Sequence, residues 1–168
     1  TGKERLLTDG VARVAASGAF ADAVEAADLR GAPLSVVSDL TRAAASCFLA
    51  NSHRGPLFAM IHMVTASSAL RLVIPHVSDE AAGILLWHGW QAMAALFSPF
   101  AAVAEPALGK PHRGDVAGLV TRAIACGDEH GIKFTEACLR EHAARPDPIF
   151  LSAADDLVGC FEALRQSP

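Results

Sequence analysis

The sequence lacks most of the signals that announce a function. Its four cysteines, Cys47, Cys126, Cys138 and Cys160, stand far apart and form no Cys-x-x-Cys pair. That argues against a zinc knuckle or a disulfide framework and points to reduced thiols in a cytoplasmic protein. The net charge is −4, and Lys and Arg form no cluster, so the basic patch that a nucleic-acid surface needs is missing. The opening residues do not read as a signal peptide, and none is expected. Gly109-Lys110-Pro111 lacks the remainder of a phosphate-binding loop. There is no Gly-x-Ser-x-Gly elbow and no His-Glu-x-x-His. The Glu-x-x-His pair of di-iron carboxylate bundles is absent too, which argues against a carboxylate-bridged centre built from this chain.

No stretch alternates polar and apolar residues with period two, and there is no internal repeat. What remains is an Ala-rich chain of 168 residues, 52% hydrophobic, with a mean hydropathy of +0.32. We expect one all-α domain over 1–168, an antiparallel bundle of about six helices. The chain does not open on Met, and Thr1-Gly2-Lys3-Glu4 reads as the middle of a longer protein. The expectation is a C-terminal part whose surplus apolar surface meets a missing N-terminal segment or a second subunit.

Ala81 to Ala104 holds no Asp, Glu, Lys or Arg, which raises a membrane span. His88, Gln91, Pro99 and the mid-segment Trp87 and Trp90 speak against it, because bilayer tryptophans favour the ends of a span. A buried helix over 81–97, covered on all sides, is the reading preferred here.

Taken in order, Val11 to Asp28 reads as a helix broken at Arg30-Gly31-Ala32-Pro33. Ser35 to Ala50 is the second and Leu57 to Val73 the third. The third has an inner stripe of Phe58, Ala59, His62, Thr65, Ala66, Ala69 and Val73. Small neighbours make the surface around His62 hollow. Ser78 or Asp79 caps the fourth helix. Asp115 caps a fifth running to Ala144, on the order of 40 Å long at 1.5 Å per residue. Ser152 with Asp155 resembles a capping box and opens the last, to Arg165.

The most polar part of the chain is GDEHGIKFTEACLREH, Gly127 to His142. At 100° per residue, Leu119, Ala123, Cys126, His130, Phe134 and Ala137 fall on one stripe. Arg122, Glu129, Lys133, Glu136 and Arg140 run beside it. Gly127 and Gly131, four apart, suggest close approach of another helix or of a ligand beside His130.

His62, His130 and Lys133 are the candidates for chemistry. Imidazole is a good ligand for iron, zinc or copper, although by spacing alone each histidine reads first as a hydrogen-bonded core residue. A lysine ammonium has no lone pair. It ligates only as a neutral amine or as the carbamate formed with CO2, and it can instead pair with Glu129 or Glu136. Glu136 is a candidate partner fixing a histidine tautomer; Asp128 has no case beyond a solvated surface. His88, with Trp87, lines a pocket for a flat aromatic substrate or occupies an ordinary core position. His53 is an outside candidate in a turn. His76, His112 and His142 read as surface residues of loops or helix ends.

Two segments, MIHMVTASSALRLVIPH (Met60 to His76) and CGDEHGIKFTEACLREH (Cys126 to His142), resemble the C-terminal part of the questin oxidase-like family. The likeness runs loosely from Asn51 onward. It implies a helical oxygenase that opens a ring of an anthraquinone or related polycyclic aromatic by oxidative C–C cleavage, with NADPH associated. It further implies non-haem Fe(II) held by histidines and a carboxylated lysine, with His62 and His130 as metal ligands and Lys133 as that lysine. The family's N-terminal part, which should bring further histidines, is not in this chain. The rival expectation is a non-catalytic helical domain that binds a partner chain or a hydrophobic ligand. It predicts no metal and Lys133 paired with Glu129 or Glu136.

Overall fold

A computed structural model describes residues 11, 12, 14, 16–52, 57–98 and 110–166. The described chain is all-α: α1 (Gly18–Glu25), α2 (Pro33–Asn51), α3 (Leu57–Val73), α4 (Asp79–Phe97), α5 (Val116–Ala125), α6 (Glu129–Ala144) and α7 (Pro148–Gln166). No strand occurs among the described residues. A 3-10 turn, Ile74–His76, joins α3 to α4.

The core forms where α2, α3, α6 and α7 meet. Phe48, Met60, Ile61, Phe134, Phe150 and Leu157 are all fully buried there. The Phe48 and Phe134 rings lie 4.7 Å apart, centre to centre, and tilted. Side-chain partners give the directions of the helices. Ser38 at the start of α2 meets Arg71 at the end of α3, so those two run antiparallel. Gly131 near the start of α6 faces Phe161 near the end of α7, so those are antiparallel as well. Between the hairpins the sense is parallel. Ser68 of α3 meets Glu141 of α6, one end on from where His62 meets His130. Arg42 and Ser52 of α2 reach Asp147 and Asp156, beside and within α7, in the same order. The bundle is therefore antiparallel within each hairpin and parallel between them.

The third helix has the expected bounds but the opposite inner face. Ala59 of the expected stripe is buried and Thr65 half-buried, but Met60, Ile61, Met63, Val64, Ser67 and Ser68 make up the rest of the buried face, whereas Phe58, His62, Ala66, Ala69 and Val73 are exposed. The serines can face the core because their hydroxyls have acceptors: Ser67 donates to the Met63 carbonyl at 2.8 Å and Ser68 to Glu141 at 3.0 Å. Leu57–His76 is long and apolar enough to cross a membrane by length and composition. Its packing against α2, α4 and α6 gives that composition a place in the bundle.

The expected helix over 11–28 is interrupted at Ser17, whose backbone is extended, and α1 starts at Gly18. The fourth helix is not covered on all sides: only Ala82, Leu86 and Met93 are buried, and Ile84 is exposed. Ser78 caps it by accepting from the Ala81 N–H. The long fifth helix is two helices. Gly127 takes φ +66°, the left-handed conformation that ends helices at low cost only for glycine, and Asp128 then caps α6. Gly131 instead makes the close approach: a Cβ there would stand 3.3 Å from the Phe161 ring. The last helix begins at Pro148, four residues before the expected cap. Asp147 accepts from the Ile149 N–H at 3.0 Å, while Ser152 lies inside the helix and donates to the Pro148 carbonyl.

Candidate functional site

The corner at Gly127 and Asp128 sets the site. By turning the chain there, it places His130 in the first turn of α6, beside the N-terminal half of α3. The His62 and His130 rings come within 5.9 Å, centre to centre, and are inclined by 53°. The ring of Phe58, one turn before His62, lies 4.7 Å from that of His130, centre to centre, and is inclined to it by 64°. His62 is exposed and His130 half-buried, so the pair lies open at the seam between α3 and α6 rather than inside the core.

His130 is held from its own helix. Asp128 Oδ1 accepts from the His130 backbone N–H at 2.8 Å and stands 3.0 Å from its ring Nδ1. The backbone N–H, followed by the ring, holds the Asp128 carboxyl below its ordinary range despite some desolvation. Glu136, the expected tautomer partner, pairs with Arg140 instead. Asp128 therefore occupies the position assigned to Glu136 in the sequence. The cue was present in the chain, because Gly followed by Asp is a helix stop followed by a helix cap.

Lys133 does not join the two rings in this arrangement. Its side chain is 65% exposed and its ammonium lies 2.7 Å from Glu129, four residues earlier. Lys133 holds the Glu129 carboxyl below its usual value. Two imidazoles sharing one ion at metal–nitrogen distances of about 2.0–2.1 Å have ring centres about 5 Å apart, and the His62–His130 separation lies within an ångström of that. In ring separation alone, the pair matches two ligand positions. Among the described residues, no group of three His, Cys, Asp or Glu side chains gathers around one point.

The expected aromatic pocket is not at this seam. α4 lies against the Ser67 and Leu70 side of α3, away from His62. His88 is exposed there, with Nδ1 2.9 Å from Gln91. Trp87 is half-buried, but the anchored indole is that of Trp90, which donates to the Val24 carbonyl at 3.0 Å. His76 is exposed, and His142 Nδ1 closes the α6–α7 turn, 2.9 Å from the Asp147 carbonyl oxygen and 3.2 Å from its backbone nitrogen. His53 lies outside the described residues.

His112 departs from the expected surface position. Its side chain is 6% exposed and its Nδ1 lies 3.0 Å from Asp155, while its Nε2 is buried with no partner among the described residues. Asp155 also receives Arg122, which forks onto Glu162. Burial opposes ionisation of Asp155, but His112 and Arg122 outweigh it and lower its pKa. None of the four cysteines is in a disulfide, and Cys126 and Cys138 are buried. Burial raises the pKa of the Cys138 thiol far above its normal value, as expected for inert core thiols.

No family model, no curated protein and no solved structure matches this chain.

Proposed function

We propose that this chain supplies two histidine ligands, His62 and His130, to the metal of a helical non-haem oxygenase of the questin oxidase-like type. The observation that carries the reading is the meeting of two imidazoles from different helices, one steadied by a carboxylate. The reaction class, oxidative C–C ring cleavage of a polycyclic aromatic or anthraquinone-like substrate, comes from the sequence resemblance, as does NADPH as reductant.

Bound Fe(II) would supply the activation of O2. The chain's own residues hold and orient. Asp128 keeps the His130 ring in place through Nδ1, leaving Nε2 for the ligand position. Phe58 closes one edge of that ring. Lys133 lies one turn beyond His130 and reaches the pair only by leaving Glu129; as a carbamate it would add an anionic oxygen, the part a carboxylate plays in other non-haem sites. Remaining ligands come from outside the described residues. The seam's exposure fits completion by another segment or subunit.

The test is ferrous iron binding, under anaerobic conditions with bicarbonate, to the wild type and to the His62→Ala and His130→Ala variants. Loss of binding in both is expected, followed by oxygen uptake with polycyclic quinones in the wild type. Full iron occupancy in either variant removes that histidine from the site.

A second reading, a non-catalytic helical domain that binds a partner or a hydrophobic ligand, is favoured by two observations. Lys133 pairs with Glu129, and an apolar groove of about 420 Å³ runs between α5 and α6, lined by Val120, Ile124, Ile132 and Leu139. It predicts no iron in any variant and no oxygen uptake.

A further inference from the structure

We infer that Asp128 is a positioning residue that locks His130 in the tautomer with Nδ1 protonated, so that Nε2 is its only nitrogen open to a ligand. The purpose of this lock rests on the metal-site reading above; its geometry does not. An ionised carboxylate accepts hydrogen bonds and cannot donate them. With Asp128 Oδ1 3.0 Å from Nδ1, the proton of a neutral His130 ring sits on Nδ1. Free imidazole side chains favour the opposite tautomer, so the carboxylate selects a form the ring would not adopt by itself. The ring is braced twice, by Asp128 along its own helix and by the steeply inclined Phe58 ring from α3. His62 lacks this constraint: among the described residues no side chain hydrogen-bonds to its ring, and it is exposed. One histidine of the pair is preset and the other is free to adjust.

An N-cap alone does not require aspartate here. Serine caps helices about as well, and its hydroxyl reaches the backbone N–H of the first turn. It is too short to hold the imidazole as well. Asp128→Ser therefore keeps the cap and removes the lock, while Asp128→Asn keeps an acceptor oxygen at the same place.

The experiment is imidazole nitrogen NMR on the full chain, metal-free, at a pH where the rings are neutral, with circular dichroism as the check on folding. Expected are a Nδ1-protonated His130 in the wild type and in Asp128→Asn, and a shift toward the Nε2-protonated form in Asp128→Ser at unchanged helix content. Cobalt(II) titration then reads the consequence: affinity about 10–100-fold weaker in Asp128→Ser than in the wild type. An unchanged tautomer in Asp128→Ser overturns the lock. A shifted tautomer with unchanged cobalt affinity overturns its role in presenting a ligand. A wild type that takes up no cobalt, with the tautomer still moving on substitution, retires the metal-site reading and leaves the lock standing.

Discussion

The two ends of the seam between α3 and α6 are built from opposite materials. At one end His62 and His130 meet in the open, with Phe58 and Asp128 beside them. At the other, Glu141 is fully buried and Arg71 nearly so, joined by two charge-assisted bonds of 2.7 and 2.8 Å. Ser68 donates to Glu141, Arg71 reaches Ser38 and the Leu34 carbonyl, and Arg140 reaches Ser68. Three helices are tied in one polar knot. The closed end fixes how α3 and α6 register. The open end inherits that register, which holds His62 beside His130 although no bond joins the two rings.

If the closed end sets the register, breaking it has the largest effect. Glu141→Ala leaves Arg71 without its carboxylate and should cost about 3–5 kcal/mol, because a buried charge then lacks its partner; urea unfolding measures it. Replacing both Arg71 and Glu141 with apolar residues of similar volume should cost far less in stability than the single change. If the double variant also moves the two rings apart, seen as loss of their mutual NMR contacts, the knot is what aligns the site. If the rings stay together, the apolar core alone aligns it.

At the open end, His130→Ala and His62→Ala should leave stability nearly untouched, within about 0.5 kcal/mol by urea midpoint, as for other surface positions. A larger loss means that the rings pack structurally and weakens the contrast. Acid provides a finer test. The Asp128 carboxyl lies below its unfolded value of about 3.9. Its stabilising contribution is therefore present above that pH and is lost as pH falls through the lower folded value. Asp128→Asn should make the stability profile less steep below about pH 4; an identical profile shows that the carboxylate does nothing for the fold. The smallest effect expected is that of Lys133→Ala, which removes an exposed ion pair and should leave the urea midpoint unmoved. A clear destabilisation would mean that Lys133 holds something other than Glu129.

Much of this was readable in the chain, in specific places. The bounds of α3 and most of α4 follow from Pro56, Pro75 and Ser78, because proline and capping residues act locally. The stripe through Leu119, Ala123, Cys126, Phe134 and Ala137 is buried as the spacing implies, even though Gly127 splits the helix that was to carry it. The inner face of α3 was misread because small residues occur on both of its sides. Ser67 and Ser68 look like surface residues until Met63, Glu141 and Arg140 are seen to satisfy them. Arg71 and Glu141, 70 residues apart, carry no mutual signal in a single sequence, and neither do His112 and Asp155. Gly127 followed by Asp128 carries the signal of a helix stop and cap, but only the turn that Asp128 caps brings its carboxylate to His130.

The parallel pairing of α2 with α7 sets the order in which the molecule can be assembled. Arg42 waits for Asp147, 105 residues later, and Ser52 for Asp156, 104 residues later. Contacts so distant in sequence slow folding, because a long loop must close before they form. As the chain emerges during synthesis, Phe48 on α2 lacks Phe134 of α6, and Arg42 and Ser52 lack Asp147 and Asp156, until those later residues are made. The apolar face of that first hairpin therefore needs shelter longest, which makes truncation of α7 a route to aggregation rather than to a smaller folded domain.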